Sequence, residues 1–133
     1  MIKQVAVFLE NKAGKASACC KVLKDAGVNL LALSIADTQD FGILRLITEN
    51  NEKALSALKG AGYIASEVEL VGVEVSDKAG ALSDLLIVLG DHNVSVEYMY
   101  SYAERDGHAK IAFKTATPDK AIEALTKVGA KIV

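Results

Sequence analysis

Proline is nearly absent from this chain of 133 residues, which contains one, and tryptophan is missing altogether. Cysteine and histidine occur twice each, and aromatic residues make up 5%. A chain this poor in proline and 51% hydrophobic is neither disordered nor of low complexity. The two cysteines, Cys19 and Cys20, are neighbours and cannot frame a disulfide network, which points to a reducing, cytoplasmic setting. Two isolated histidines without a cysteine or carboxylate cluster make a poor metal site, so no metal or cofactor is expected. No apolar run reaches the roughly 18 residues that a membrane helix needs. The start, Met1-Ile2-Lys3-Gln4, does not read as a secretion signal. A net charge of −2 does not suit nucleic acid as a main partner. That charge is unevenly spread: residues 1–66 carry +2 and residues 67–133 carry −4.

What is present is a pattern written twice, at a shift of 66–67 residues. Glu10-Asn11-Lys12-Ala13-Gly14 matches Ser76-Asp77-Lys78-Ala79-Gly80. Ala26-Gly27-Val28-Asn29-Leu30 matches His92-Asn93-Val94-Ser95-Val96, and Glu52 to Leu58 matches Asp119 to Leu125. Two small homologous domains follow, residues 1–67 and 68–133.

Each repeat reads strand, helix, strand, strand, helix, strand. The first strands are predicted over Gln4–Leu9 and Val71–Val75. The first helices carry apolar stripes at Ala16, Cys19, Cys20 and Leu23, and at Leu82, Leu85, Leu86 and Leu89. Gly27 and Asn93, which tolerate positive φ, end them. Second strands are predicted near Asn29–Ala36 and Ser95–Tyr102, followed by turns at Asp37–Gly42 and Glu104–Gly107. The second helices start at Asn50/Asn51 and at Thr117-Pro118, and stop at Gly62 and Gly129. Last strands are predicted near Tyr63–Glu69 and Ala130–Val133, with Ser66–Leu70 carrying one strand almost directly into the next. This βαββαβ order is ferredoxin-like, an α+β fold. It implies antiparallel four-stranded sheets with both helices on one face.

No catalytic constellation stands out. Cys19 and Cys20 occupy the places of Leu85 and Leu86, so they read as core, and His92 and His108 read as solvated. The strongest local signal is the loop between first strand and first helix, Asn11-Lys12-Ala13-Gly14 and Asp77-Lys78-Ala79-Gly80. A short polar residue ends the strand and a glycine opens the helix, whose free N–H groups attract a carboxylate. Asn11 or Asp77 could take an ammonium group. The competing reading is an ordinary strand-to-helix turn. A second signal is Asn29, a polar residue amid apolar ones, read either as buried and in need of partners or as an edge residue bonded to its own turn. A third is Tyr98, Tyr100 and Tyr102, spaced to share one strand face, as pocket wall or as packing surface.

With these motifs in place, the chain resembles the ACT domain family, small amino-acid-sensing modules associated with enzymes of amino-acid metabolism. The family's first loop reads Asp/Asn-x-Pro-Gly, matched by Asn11 to Gly14 and Asp77 to Gly80 with Ala13 and Ala79 replacing the proline. Its Gly-[Val/Ile]-Asn-[Ile/Leu] motif is matched by Gly27 to Leu30. In the second repeat, Asn93-Val94-Ser95-Val96 puts Ser95 where the asparagine would stand. The resemblance implies tandem domains paired side by side, with a ligand held between two of them. Asn11, Lys12, Ala13, Gly14 and Lys15 would meet Ser95 and Val96, while Asp77, Lys78, Ala79, Gly80 and Ala81 would meet Asn29, Leu30 and Leu31. The ligand implied is a small amino acid; the −4 charge of the second half and the tyrosines point to a polar or basic one, such as histidine. The partners implied are a second copy in a homodimer or a regulated enzyme. Two other readings stand beside this one: a structural or oligomer-forming module with dead ligand sites, and a small ferredoxin-like enzyme.

Overall fold

A computed structural model describes residues 1–37 and 40–133; of Asp37 only the backbone is described. The chain divides into two compact units, one spanning Lys3–Val68 and one comprising Glu69–Val133 with Met1–Ile2. The architecture is α+β and ferredoxin-like in each.

The first unit contains β1 (Ile2–Glu10) from Lys3 onward, α1 (Lys15–Asp25), β2 (Leu30–Asp37), β3 (Phe41–Thr48) and α2 (Asn51–Gly60). β4 follows over Ile64–Ser76, and its residues up to Val68 belong to this unit. The second unit continues with α3 (Ala81–Asp91), β5 (Tyr98–Arg105), β6 (His108–Lys114), α4 (Pro118–Lys127) and β7 (Lys131–Ile132). The two strands expected around Ser66–Leu70 are thus a single strand of 13 residues. No glycine or proline interrupts Ile64 to Val71, and β-branched residues recur along it, so nothing breaks the extended backbone.

β3 lies between β1 and β2, antiparallel to both. In the second unit β6 takes the same place between β4 and β5, and β7 pairs with the far edge of β4. Strand alternation sends Val5, Val7 and Leu9 to one face, where Cys19 and Leu23 of α1 and Ala54 and Leu58 of α2 cover them. Val71 and Val73 are covered in the same way by Leu85 and Leu89 of α3 and by Ala121 and Leu125 of α4. Each fully buried leucine contributes about 1.5–3 kcal/mol relative to an exposed one. Two positions of the expected apolar stripe, Leu82 and Leu86, are 42% and 39% exposed, so the face of α3 that meets its core is narrower than its apolar surface.

The helix ends follow the residues that set them. Gly27 (φ 71°) and Asn93 (φ 57°) take the left-handed conformation that closes α1 and α3. Asn50 caps α2 by accepting the Lys53 N–H at 3.0 Å. Thr117 stands at the N-cap of α4 with Pro118 after it, but its side chain makes no capping bond. Instead its N–H donates to Thr115 Oγ at 3.3 Å. The expected strand at Ser95 starts at Tyr98, after Val94 and Val96 have turned into the core. Pairing there begins with the Glu97 N–H donating to Lys114 O, because β6 ends at Lys114 and offers Ser95 no partner strand. The turn expected at Asp37–Gly42 includes Thr38 and Gln39, which lie outside the described residues. Among those residues, no helix is long and apolar enough to cross a membrane.

Candidate functional site

The loop between β1 and α1 is built by backbone bonds, and its counterpart after β4 repeats the design. The Asn11 N–H donates to Asp40 O at 2.9 Å, and the Asp77 N–H to Gly107 O at 2.9 Å. Lys15 N–H reaches back to Lys12 O at 3.2 Å, and Ala81 N–H to Lys78 O at 3.2 Å. Gly14 (φ 83°) and Gly80 (φ 90°) are the N-caps, and neither helix start is closed by a side-chain cap. The first N–H of each helix is taken by the backbone, at Lys12 O and Lys78 O, and the next N–H groups have no side-chain cap and are left to water or an outside acceptor. α3 has Asp84 in its first turn and α1 has no acidic residue there, which leaves α1 the more electropositive start.

Asn11, Lys12, Ala13, Gly14 and Lys15 are exposed, as are Asp77, Lys78, Ala79 and Gly80; Ala81 is half-buried. A Cβ built on Gly14 or Gly80 meets nothing within 4 Å, so both turns face open space in their own unit. Lys12 is engaged by Glu10 at 3.3 Å. Asn29 is exposed rather than buried, and its Nδ2 donates to Glu49 Oε1 at 3.0 Å. The hydrophobic neighbours Val28 and Leu30 turn inward around it, so their apolar character does not reflect the surroundings of Asn29. Leu31, at the irregularity between Leu30 and Ala32, is 51% exposed. Asn29 and Leu30 line a hollow of about 420 Å³ with Cys20, Lys24 and Gly27, without residues of the Asn11–Gly14 loop. Ser95 is exposed, and Val96 packs on the second core. In the second unit Ser76 and Ala81 share a hollow of about 360 Å³ with Asp84 and Val88.

Cys19 is fully buried, and burial followed by the neighbouring Cys20 pushes its thiol up to about 11. It is an inert core group. His92 is exposed at the end of α3, with Nδ1 2.8 Å from Val88 O. Among the described residues no group of three His, Cys, Asp or Glu side chains could hold a metal. The tyrosine stripe is interrupted: Tyr98 and Tyr100 have ladder partners, whereas Tyr102 sits at the register shift between Ser101 and Ala103. Sequence reasoning passed over Glu74, Lys110 and Lys131, which line a cavity of about 640 Å³ in the second unit. Comparison of the two repeats, residue against residue along β4 and β6, carried the signal.

A family model described as an ACT domain pair matches residues 1–132. The crystal structure of protein BT0572 from Bacteroides thetaiotaomicron is 36% identical, covering 99% of this chain and 91% of that one, with a TM-score of 0.91. The regulatory subunits of aspartate kinase from Thermus thermophilus and Thermus flavus are each 12% identical. The first covers 94% of this chain and 91% of its own at a TM-score of 0.67. The second covers 96% and 92% at 0.66, and both likenesses concern the fold. No curated protein matches the chain. With the doubled βαββαβ unit and the matching model over nearly its whole length, the chain belongs to the ACT domain pair family.

Proposed function

We propose that this ACT pair is a regulatory module that binds a small free amino acid. The observation that carries the reading is the repeated helix start: a left-handed glycine N-cap, first-turn N–H groups without a side-chain cap and an adjacent Asn or Asp, present in both units. Such a start offers hydrogen-bond donors and a partial positive charge to an α-carboxylate. Asn11 and Asp77 supply acceptors for the α-ammonium, and Asn29 to Leu31 with Ser95 and Val96 give the second set of contacts. The solved aspartate kinase relatives are regulatory subunits, and by fold-level analogy the partner here is an enzyme or a second copy of the chain.

A thermal-shift screen of the common amino acids tests this, polar and basic ones first. At a ligand concentration 100 times Kd the native state gains about 2.7 kcal/mol. One amino acid should raise the melting temperature, and Asn11→Ala with Asp77→Ala should remove the rise. A flat response to all of them would overturn the reading. It would favour a structural or oligomer-forming module, to which the internal engagement of Asn29 by Glu49 already lends support.

A further inference from the structure

The two units use their helix-free sheet faces differently. In the first, alternation places Phe8 and Ile43 opposite the core side, as a cross-strand pair, with Phe41 beside them. The Phe8 and Phe41 rings stack at 5.0 Å, and Phe8, Phe41 and Ile43 are 46%, 44% and 36% exposed. The register of β4 against β6 puts Glu74 opposite Lys110 and Ser76 opposite His108. Those are the places of the Phe8–Ile43 and Glu10–Phe41 pairs in the other copy. An apolar row is therefore compatible with the scaffold, and folding does not require the charged one.

β7 extends the row, because Lys131 stands opposite Glu74 on its other side. Lys131 Nζ lies 2.8 Å from Glu74 Oε2, an oxygen with no exposed surface. The Lys131 bond, with the charges of Lys131, His108 and Lys110, holds the Glu74 carboxyl below its ordinary value despite burial, so it stays ionised. One carboxylate between two ammonium groups leaves this row locally positive; Glu104 also lines the cavity, but it stands opposite Ala109 and so belongs to the other strand face.

That floor lies in a cavity of about 640 Å³. Two features of the β5–β6 hairpin shape its wall. The register shift between Ser101 and Ala103 bends β5, and a tight turn with Asp106 (φ 52°) and Gly107 (φ 78°) both left-handed twists the pair. Arg105 and Asp106 pair with each other at 3.4 Å on the rim and are almost fully exposed, so their charges cancel there. His108 Nδ1 is 3.1 Å from Asp106 O, which fixes the ring at the side of the cavity. The volume falls within the roughly 300–1,000 Å³ of small-molecule sites.

We propose that this cavity binds a small organic anion, a carboxylate or phosphate head on a compact body, held by Lys110 and Lys131 with His108 beside it. The site belongs to the second unit alone and is independent of the amino-acid reading above.

The test is NMR of the isotope-labelled full chain, following the His108 ring and the Glu74, Lys110 and Lys131 amides. Acetate, succinate or inorganic phosphate is added, with chloride at equal ionic strength as control. Saturable shifts confined to these residues are expected with at least one oxyanion. Response to acetate or succinate alone identifies a carboxylate head, and response to phosphate alone a phosphate head. Lys110→Gln should weaken binding roughly tenfold, the loss of one charge-assisted bond. Lys110→Ile, which borrows the residue of the first unit, should fold and show no saturation. Asn11→Ala should leave the response intact. Linear shifts shared with chloride, or an unchanged half-saturation concentration in Lys110→Gln, would overturn the proposal.

Discussion

Asn29 is clamped by Glu49 at both its side chain and its backbone. Nδ2 donates to Glu49 Oε1 at 3.0 Å, and the Asn29 carbonyl accepts the Glu49 N–H at 3.1 Å. The side-chain bond is exposed, so its loss costs only about 0.5–1.5 kcal/mol. Asn29→Ala and Glu49→Ala should therefore destabilise by similar small amounts in urea unfolding. They differ in what they do to ligand response. If Asn29 touches the amino acid, Asn29→Ala abolishes the thermal shift and Glu49→Ala keeps it. Equal loss in both variants assigns Asn29 to holding the start of β2.

The two N-cap glycines make a sharper stability prediction. At φ 83° and 90°, a side chain strains the backbone, yet a Cβ at either position meets no atom within 4 Å. Gly14→Ala and Gly80→Ala should each cost about 1–2 kcal/mol, from conformation alone. Asparagine, which enters this region more readily, should cost less at both sites. Urea midpoints should fall while the slope stays unchanged. A loss several times larger would mean that the loops pack against something.

Gly72 is the opposite case, since space rather than φ restricts it. A Cβ there would lie 2.5 Å from Ile2 Cγ1 and 3.1 Å from Val133 Cγ2. Gly72→Ala should destabilise by about 1–3 kcal/mol through overpacking. Ile2→Ala in the same chain should recover part of that loss, giving a non-additive double-mutant cycle. Additive losses would show that Ile2 does not limit the space at Gly72.

The duplication made most of the fold legible, because each weak local signal could be read twice. Gly27 with Asn93 and Gly62 with Gly129 marked helix ends at matching offsets, and all four take positive φ. What the pattern missed depends on neighbours that sequence does not show. Between apolar Val28 and Leu30, Asn29 could be read as buried or as an edge residue; those two turn inward and Asn29 turns out. Leu82 and Leu86 fit a helical stripe, yet α3 buries only Leu85 and Leu89 fully enough to count as core. The Glu74 cavity shows in the sequence only as charged residues of β4 and β6 that replace apolar ones of the other repeat, and its assembly was hidden for a related reason. Its charged residues come from four strands and the β5–β6 turn, and the strand residues are adjacent only through register. The candidate loops were legible as motifs, since Asn/Asp and Gly at that spacing dictate a turn whatever surrounds it.

Cys19 supplies a prediction in pH. Its thiol rises from an ordinary 9.0 to about 11 in the native chain, chiefly through burial and then through Cys20. A raised native value means that the unfolded chain loses this proton first as pH increases. The stabilisation is fully present below pH 9 and is lost as pH climbs toward about 11. A thiol held at about 11 rather than 9.0 corresponds to a loss of about 2 kcal/mol across this range. Tyr63 and Tyr102 are also raised by burial and add a loss of the same sign at alkaline pH. Cys19→Val separates the contributions, because it removes the thiol while keeping a small apolar side chain in the core. Unfolding free energies measured from pH 8 to 11 should decline more steeply for the native chain than for Cys19→Val. Parallel curves would mean that Cys19 titrates alike in the folded and unfolded chain and is open to water in solution.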